Sequence, residues 1–207
     1  MVLACLRRFY PRALTAAAAL AAGLVATTPA CALEIGGKGA LVLLAGPIKP
    51  GDSSRFRDFL KAAPAGRYHA VALASGGGVI IEAVEIARII RAEHMATVVD
   101  AERFLCASAC TILFAGGTER FYINAGRIVD GSNQRRTGLG FHDGNNALSL
   151  DAHHYSGRAS GLVIDAYYEF GIPAAAQLVS RAAPNQLYIV SGETALRLGI
   201  ATRLTFP

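Results

Sequence analysis

The feature that most constrains the fold is an alternation of short apolar runs with segments of helical periodicity. Residues 39–45 (GALVLLA) and 68–74 (YHAVALA) are continuous apolar runs of strand length, and a third short run covers residues 96–99. Residues 53–63 and 79–92 place apolar side chains at helical spacing. Strands that are apolar throughout are buried on both faces, and strand–helix–strand crossovers are right-handed. The pattern therefore predicts an α/β fold with a mainly parallel sheet flanked by helices.

The second half of the chain is predicted to be less regular. Residues 109–115 predict a short apolar helix, and residues 122–145 predict an irregular polar loop that delivers His142. Residues 147–183 are rich in helix-forming residues and predict two helices. A last short helix is expected over residues 193–198, with Ser191 as its N-cap.

The first 32 residues have the pattern of a secretory signal peptide. Arginines precede an Ala/Leu/Val-rich run at 13–26, no acidic residue occurs before Glu34, and Ala30-Cys31-Ala32 forms an A-x-A cleavage site. We therefore expect cleavage after Ala32, one mature domain over residues 33–207, and a periplasmic or secreted location. The alternative is an uncleaved membrane anchor, for which the apolar run is short.

The charge distribution argues against nucleic-acid binding. The whole chain has a formal charge of +5, but the signal segment holds three arginines and no acids, so the mature chain carries only +2. No stripe of Lys and Arg interleaved with aromatic residues occurs in the sequence. We expect no nucleic-acid partner, and contact with a membrane only through an uncleaved signal segment.

Two cysteines, Cys106 and Cys110, remain after removal of the signal segment. An oxidising compartment permits a disulfide, although a pair four residues apart at a helix start is geometrically tight. A bridge and two small buried thiols both remain open. Two cysteines without a nearby histidine cannot complete a four-ligand zinc shell, so we expect no metal site.

Three separated segments supply the parts of a serine acyl-transfer site. The glycines Gly76 to Gly78 follow a predicted strand, where bare backbone N–H groups can bind an oxyanion. Ser108 lies at a helix start, where the helix dipole favours negative charge, and His142 lies in the later polar loop. Each segment also has a plainer interpretation when it is taken alone. The glycine turn is then a tight strand-to-helix connection, Ser108 is a helix cap and His142 is a structural or surface histidine.

The joint order of these segments resembles the Clp peptidase and crotonase superfamily, most closely its exported Clp-like branch. In that family a Ser-Pro-Gly-Gly turn supplies an oxyanion-hole N–H, and Ser75-Gly76-Gly77-Gly78 matches it with glycine in place of proline. Ala107-Ser108-Ala109 matches the nucleophile segment, and Phe141-His142 matches the segment of the base. The closing Ser-x-Glu-x-Ala-x-x-x-Gly-Ile run, from Ser191 to Ile200, matches the family's carboxyl-terminal pattern.

The resemblance extends from about Leu41 to Leu204 and implies a Clp/crotonase-like β-α-β superhelix with a serine peptidase site. By this resemblance, Ser108 is the nucleophile and His142 is the general base. The implied oxyanion-hole donors are the N–H groups of Gly77, Gly78 and Ala109. The resemblance also implies peptide or protein substrates, a homo-oligomer (trimer or hexamer) and no cofactor.

One position departs from the family pattern. Triad peptidases of the family carry an aspartate shortly before the closing segment, but here no carboxylate occurs between Glu169 and Glu193. The group that orients His142 is therefore open, and it is either absent or one of three candidates. The candidates are Asn185, Gln186 and Asp165.

Three functions remain open on these residues. The first is an exported serine hydrolase, above all a peptidase, and the second is a catalytically degenerate binding protein that keeps the groove. Acyl-thioester chemistry of the crotonase type is third, because it needs the oxyanion hole but also coenzyme A, which we do not expect outside the cytoplasm.

Overall fold

The computed structural model describes residues 32–131, 137–144 and 155–207, and every structural statement below concerns these residues. They form eight strands, six α-helices and two short 3-10 helices, Ala125–Arg127 and Pro173–Ala175. The strands are β1 (Glu34–Lys38), β2 (Leu41–Ala45), β3 (Ala70–Ala74), β4 (Ala96–Asp100), β5 (Leu105–Ala107), β6 (Arg120–Ile123), β7 (Gly138–Phe141) and β8 (Tyr188–Ile189). The helices are α1 (Asp52–Lys61), α2 (Ile80–Ala92), α3 (Ala109–Gly116), α4 (Gly157–Glu169), α5 (Ala176–Val179) and α6 (Gly192–Arg197).

The larger sheet has the order β1-β2-β3-β4-β6. Strands β2, β3, β4 and β6 are parallel to one another, whereas β1 pairs antiparallel with β2. The predicted α/β class with a mainly parallel sheet is confirmed. The antiparallel strand β1 was not expected, because its sequence EIGGK has no apolar run and four of its five residues are exposed.

A smaller sheet, β5-β7-β8, stands beside the first. Strand β7 runs parallel to β5 and antiparallel to β8. The prediction of an irregular loop over 122–145 is wrong where β6 and β7 form. Strand β7 has the sequence GLGF, and all four of its residues are buried. Its two glycines lack the apolar side chains by which a buried strand is identified in a sequence. Residues 145–154, at the start of the predicted helical region, lie outside the described residues.

The predicted helices of the first half form within a residue or two of their expected bounds. Helix α3 is buried along its whole length, from Ala109 to Gly116. It packs against α2, whose buried face includes Ala83, Ala87 and Ile90. The last helix, α6, has the expected cap, because Ser191 Oγ accepts a hydrogen bond from the Thr194 N–H at 3.1 Å.

The two sheets meet at the carboxyl end of β3. Ser75, just after β3, forms a parallel bridge with Cys106 of β5, and its carbonyl accepts a hydrogen bond from the Ala107 N–H at 3.0 Å. This contact places the end of β5 beside the glycine turn that follows β3. No helix of residues 32–131, 137–144 and 155–207 is both long enough and apolar enough to cross a membrane.

Candidate active site

Ser108 occupies an unusual backbone conformation between β5 and α3. Its φ is 56° and its ψ is −129°, a region that residues with a side chain seldom adopt. Such a conformation costs about 1–3 kcal/mol and persists only where the surroundings enforce it. The Ser108 side chain makes no capping hydrogen bond to α3. The plainer interpretation of Ser108 as a side-chain N-cap therefore does not describe this structure.

The Ser108 backbone is held by hydrogen bonds on both sides of the residue. Its N–H donates to the carbonyl of Gly140 in β7 at 3.0 Å. Its carbonyl accepts from the Thr111 N–H at 2.9 Å and from the Thr111 hydroxyl at 2.6 Å. The Thr111 hydroxyl also lies 2.6 Å from the hydroxyl of Tyr167 in α4, and both side chains are buried. Because its proton goes to Ser108, the Thr111 oxygen accepts from Tyr167.

A disulfide bond joins the two segments that flank Ser108. Cys106 in β5 is bonded to Cys110 in α3, and their Cα atoms are 5.2 Å apart. Both cysteines are fully buried. Of the two states left open by the sequence, the structure adopts the bridge, which ties the residue two before Ser108 to the residue two after it.

The glycine turn lies directly against Ser108. A Cβ atom added at Gly77 would stand 2.7 Å from Ser108 Cβ and 2.8 Å from the Ala107 carbonyl oxygen. The φ of Gly77 is +100°, so both space and backbone conformation require glycine. A Cβ at Gly78 would overlap the Ile48 backbone.

The three predicted oxyanion donors differ in their availability. The Gly77 N–H donates to Ser75 Oγ at 3.1 Å, so in this structure it already has an acceptor. The Gly78 N–H and the Ala109 N–H form no hydrogen bond with any residue in the described ranges. Ala109 is the first residue of α3, where N–H groups have no partner within the helix.

One open cleft of about 750 Å³ joins most of the predicted site residues. The glycine turn and Ser108 line it together with the loop before α1 and the segment before β8. Six of its lining residues are Lys49, Gly77, Ser108, His142, Asn185 and Gln186. Ser108 and His142 therefore face the same cleft, although no hydrogen bond joins their side chains in the described structure.

His142 follows β7 and is oriented by its neighbour in the chain. Its Nδ1 lies 2.5 Å from the carbonyl oxygen of Asp143. A carbonyl oxygen only accepts, so Nδ1 carries the proton in this contact and Nε2 is the basic nitrogen. Burial lowers the pKa of His142 below its ordinary value of 6.5, and the Asp143 carbonyl and carboxylate oppose that shift. The imidazole is therefore neutral at pH 7.

The candidates for a third catalytic member differ in position. Asn185 and Gln186 line the cleft, but neither side chain forms a hydrogen bond with His142 among the described residues. Asp165 is exposed on α4, does not line the cleft and forms no hydrogen bond with His142 among the described residues. The observed partner of His142 is the main-chain carbonyl of Asp143.

Sequence reasoning did not identify the residues that support the site. The contact of Thr111 with Tyr167 spans 56 positions, and nothing in their local sequence marks either residue. The sequence predicts a turn over Pro47 to Gly51, but not that the Ile48 backbone in it pairs with the glycine turn.

The fold is similar to that of solved Clp-type protease domains. A serine-to-alanine mutant of the 1510-N membrane-bound stomatin-specific protease matches with a TM-score of 0.56 and 14% identity, over 79% of this chain and 77% of that one. A lysine-to-alanine mutant of the same protease, in complex with a substrate peptide, matches with a TM-score of 0.54 and 12% identity, over 79% and 73%. The ClpP protease catalytic domain from Plasmodium falciparum matches with a TM-score of 0.51 and 13% identity, over 81% and 86%.

No protein-family model and no curated protein matches the chain. At identities this low, the likeness shows the fold alone. The chain has the fold of Clp-type proteases.

Proposed function

We propose that this chain is an exported serine peptidase in which Ser108 is the nucleophile and His142 is the general base. The observation that carries the proposal is the Ser108 backbone, with its φ of 56° and no capping hydrogen bond from its side chain. A strained backbone conformation at the end of a strand is typical of a catalytic serine nucleophile. Ser108 has such a conformation, and it shares its cleft with a histidine and the glycine turn.

The proposed reaction begins with attack of Ser108 Oγ on the carbonyl carbon of a peptide bond. His142 Nε2 takes the hydroxyl proton and returns it to the leaving amine, so that an acyl-enzyme forms and the amine departs. Water then attacks the ester, with the same nitrogen as base, and releases the acid. The lowered pKa of His142 keeps Nε2 unprotonated and ready to act near neutral pH.

The negative charge of the tetrahedral intermediate is assigned to the N–H groups of Ala109 and Gly78. Both are without an acceptor among the described residues, and Ala109 begins the buried helix α3, whose dipole favours an anion. Gly77 serves chiefly by its lack of a side chain, because a Cβ there would meet Ser108. Its N–H joins the oxyanion hole if Ser75 Oγ turns away.

The cleft supports a peptide as the substrate class. It is open and lined by backbone of the glycine turn and by apolar side chains such as Ile48, Val79 and Leu187. Lys49 is the one formally charged residue among those lining residues, so an acidic group on the substrate is favoured there. A solved neighbour of the same fold holds a substrate peptide, which agrees with this assignment.

Export and assembly belong to the same proposal. The signal-peptide pattern of residues 1–32 supports a periplasmic or secreted enzyme. A trimer or hexamer follows from the resemblance to Clp-type proteins, and no cofactor is required by serine chemistry.

The rival function is a binding protein that keeps the groove without turnover. Two observations favour it: no carboxylate contacts His142 Nδ1, and no hydrogen bond links Ser108 Oγ to His142 in the described part of the chain. A carbonyl holds the tautomer but stabilises the imidazolium less than a carboxylate does.

The test is hydrolysis of a peptide library by the mature chain, with Ser108→Ala, His142→Ala and the double variant. A working pair predicts losses on the order of 10³-fold or more for each single variant, and a double variant scarcely worse than either one. Matched controls are Ser54→Ala and His69→Ala, since both residues are exposed and outside the cleft. Peptide binding without Ser108-dependent cleavage would favour the binding protein.

A further inference from the structure

The backbone of Leu33 lies beside the buried carboxylate of Asp52. The Leu33 side chain is 0% exposed, and its backbone nitrogen lies 3.3 Å from Asp52 Oδ2. Asp52, the first residue of α1, is also 0% exposed. The Leu33 carbonyl accepts a hydrogen bond from Arg55 Nη1 at 3.0 Å. Leu33 is thus anchored by its side chain, its nitrogen and its carbonyl.

Asp52 carries a charge that burial makes costly. Its Oδ1 pairs with Arg55 Nη1 at 2.7 Å, but half of the Arg55 side chain is exposed to solvent. Its Oδ2 accepts the Lys49 N–H at 2.7 Å in addition to the Leu33 N–H. A buried carboxylate is stabilised best by a cation that is itself shielded from water. Within the described residues, Arg55 is the cation that contacts Asp52.

We propose that Leu33 is the first residue of the working protein and that its α-ammonium group binds Asp52 as a second cation. A leader peptidase hydrolyses the bond between Ala32 and Leu33, so that water supplies the hydroxyl of the Ala32 carboxyl group and a proton to the Leu33 nitrogen. The new amine takes a further proton from solvent and becomes an ammonium group. The neutral N–H contact with Asp52 then becomes a charged one.

This ion pair adjoins the cleft. Asp52 Oδ2 holds the Lys49 N–H, and the preceding residue, Ile48, pairs with the glycine turn. The Ile48 N–H donates to the Gly77 carbonyl at 2.9 Å, and the Ile48 carbonyl accepts from Val79 at 3.1 Å. Removal of the leader therefore completes the support of a segment that touches the turn beside Ser108.

The inference rests on leader cleavage and not on the proposed peptidase chemistry, so its first test needs no activity. The full chain, expressed with export, is recovered from the extracytoplasmic fraction and its intact mass is measured. The expected mass is that of a chain beginning at Leu33. A mature chain that begins at any other residue would overturn the proposal.

The second test measures coupling between the amine and Asp52. The chain beginning at Leu33 is compared with one that carries an added glycine before Leu33, which moves the ammonium by about 3.8 Å. In urea unfolding, we expect the added glycine to lower the folded-to-unfolded ratio by about tenfold or more, because a charged hydrogen bond is lost. In Asp52→Asn the same extension should have little effect.

The matched control is Asp58→Asn, which removes a carboxylate from the exposed face of α1. It should leave the cost of the extension unchanged. Equal costs in Asp52→Asn and in the unsubstituted chain would refute the pairing.

A third measurement uses no substitution at Asp52, in case Asp52→Asn fails to fold. The α-amino group is acylated near neutral pH, and its rate is followed by peptide mass mapping. The paired, buried ammonium of the chain beginning at Leu33 should react at least about tenfold more slowly than the amine of the glycine-extended chain. Equal rates would contradict the proposal whatever the peptidase assays show.

Discussion

The contact between Gly77 and Ser108 makes Gly77→Ala the most informative substitution. The new Cβ would lie 2.7 Å from Ser108 Cβ, 2.8 Å from the Ala107 carbonyl oxygen and 3.0 Å from the Ala109 nitrogen. Carbon atoms in contact prefer about 3.5–4.0 Å, so the glycine turn and Ser108 must move apart. Two of these three atoms belong to the backbone, which limits how cheaply the crowding can be relieved.

The magnitude follows from two separate costs. Overpacking of a well-packed site costs about 1–3 kcal/mol. The φ of +100° at Gly77 adds about 1–2 kcal/mol for a residue that carries a Cβ. We expect Gly77→Ala to lower the free energy of unfolding by about 2–5 kcal/mol. A displacement of Ser108 approaching 1 Å should also slow its reaction with a fluorophosphonate by about 10²-fold.

Gly76→Ala is the matched control. Gly76 is exposed, its φ is not positive, and a Cβ added there meets no atom within 4 Å. Its stability should stay within about 1 kcal/mol of the unsubstituted protein. Urea unfolding and labelling rates of the two variants are measured side by side. Equal stability and equal labelling of Gly77→Ala and Gly76→Ala would refute the close packing of the glycine turn on Ser108.

Three further predictions concern the support of the nucleophile. The labelling rate should rise with pH through a midpoint below 6.5, because burial lowers the pKa of His142 and only the neutral imidazole is a base; a pH–rate profile with a higher midpoint would contradict this. Replacing Cys106 and Cys110 together by alanine should lower the free energy of unfolding in urea by about 2 kcal/mol, as expected for a disulfide that closes a five-residue loop, and should slow labelling of Ser108. An unchanged stability and an unchanged labelling rate would show that the disulfide does not support the site. Thr111→Val should lower the free energy of unfolding by about 1–3 kcal/mol and slow labelling of Ser108, because it removes the hydroxyl that donates to the Ser108 carbonyl. Thr111→Ser keeps the hydroxyl and should preserve the stability and the labelling rate. Equal behaviour of the two variants would show that the hydroxyl does not support Ser108.

Much of the larger sheet was predictable, although the expected burial of its strands on both faces is incomplete, since Leu43 of β2 is 40% exposed. Strands β2, β3 and β4 have continuous apolar sequences, and the helices between them show clear periodicity. Strands β1 and β7 were not predictable, since glycines replace the side chains that would reveal alternation. Strand β1 forms a hairpin with β2, which follows it directly, whereas β7 pairs with β5 and β8, which are distant in the chain.

The site was predictable in its parts but not in its supports. The glycine turn and Ser108 each follow the carboxyl end of a strand, which is where sheets with parallel strands present their functional turns. The two strands belong to different sheets, which the bridge between Ser75 and Cys106 brings together. The partner of His142 was not predictable, because a main-chain carbonyl carries no mark in the sequence. The Thr111 to Tyr167 contact and the Asp52 to Leu33 contact each join distant segments, so only tertiary structure reveals them.

The most direct test of the central claim is the site of covalent modification by a fluorophosphonate. The mature chain is labelled, digested and mapped by mass spectrometry, alongside Ser108→Ala, His142→Ala and the control Ser54→Ala. We expect one phosphonylated residue, Ser108, with no adduct in Ser108→Ala, far slower labelling in His142→Ala and normal labelling in Ser54→Ala. Labelling that persists in Ser108→Ala, or that proceeds equally fast in His142→Ala, would contradict the assignment of Ser108 and His142 as nucleophile and base.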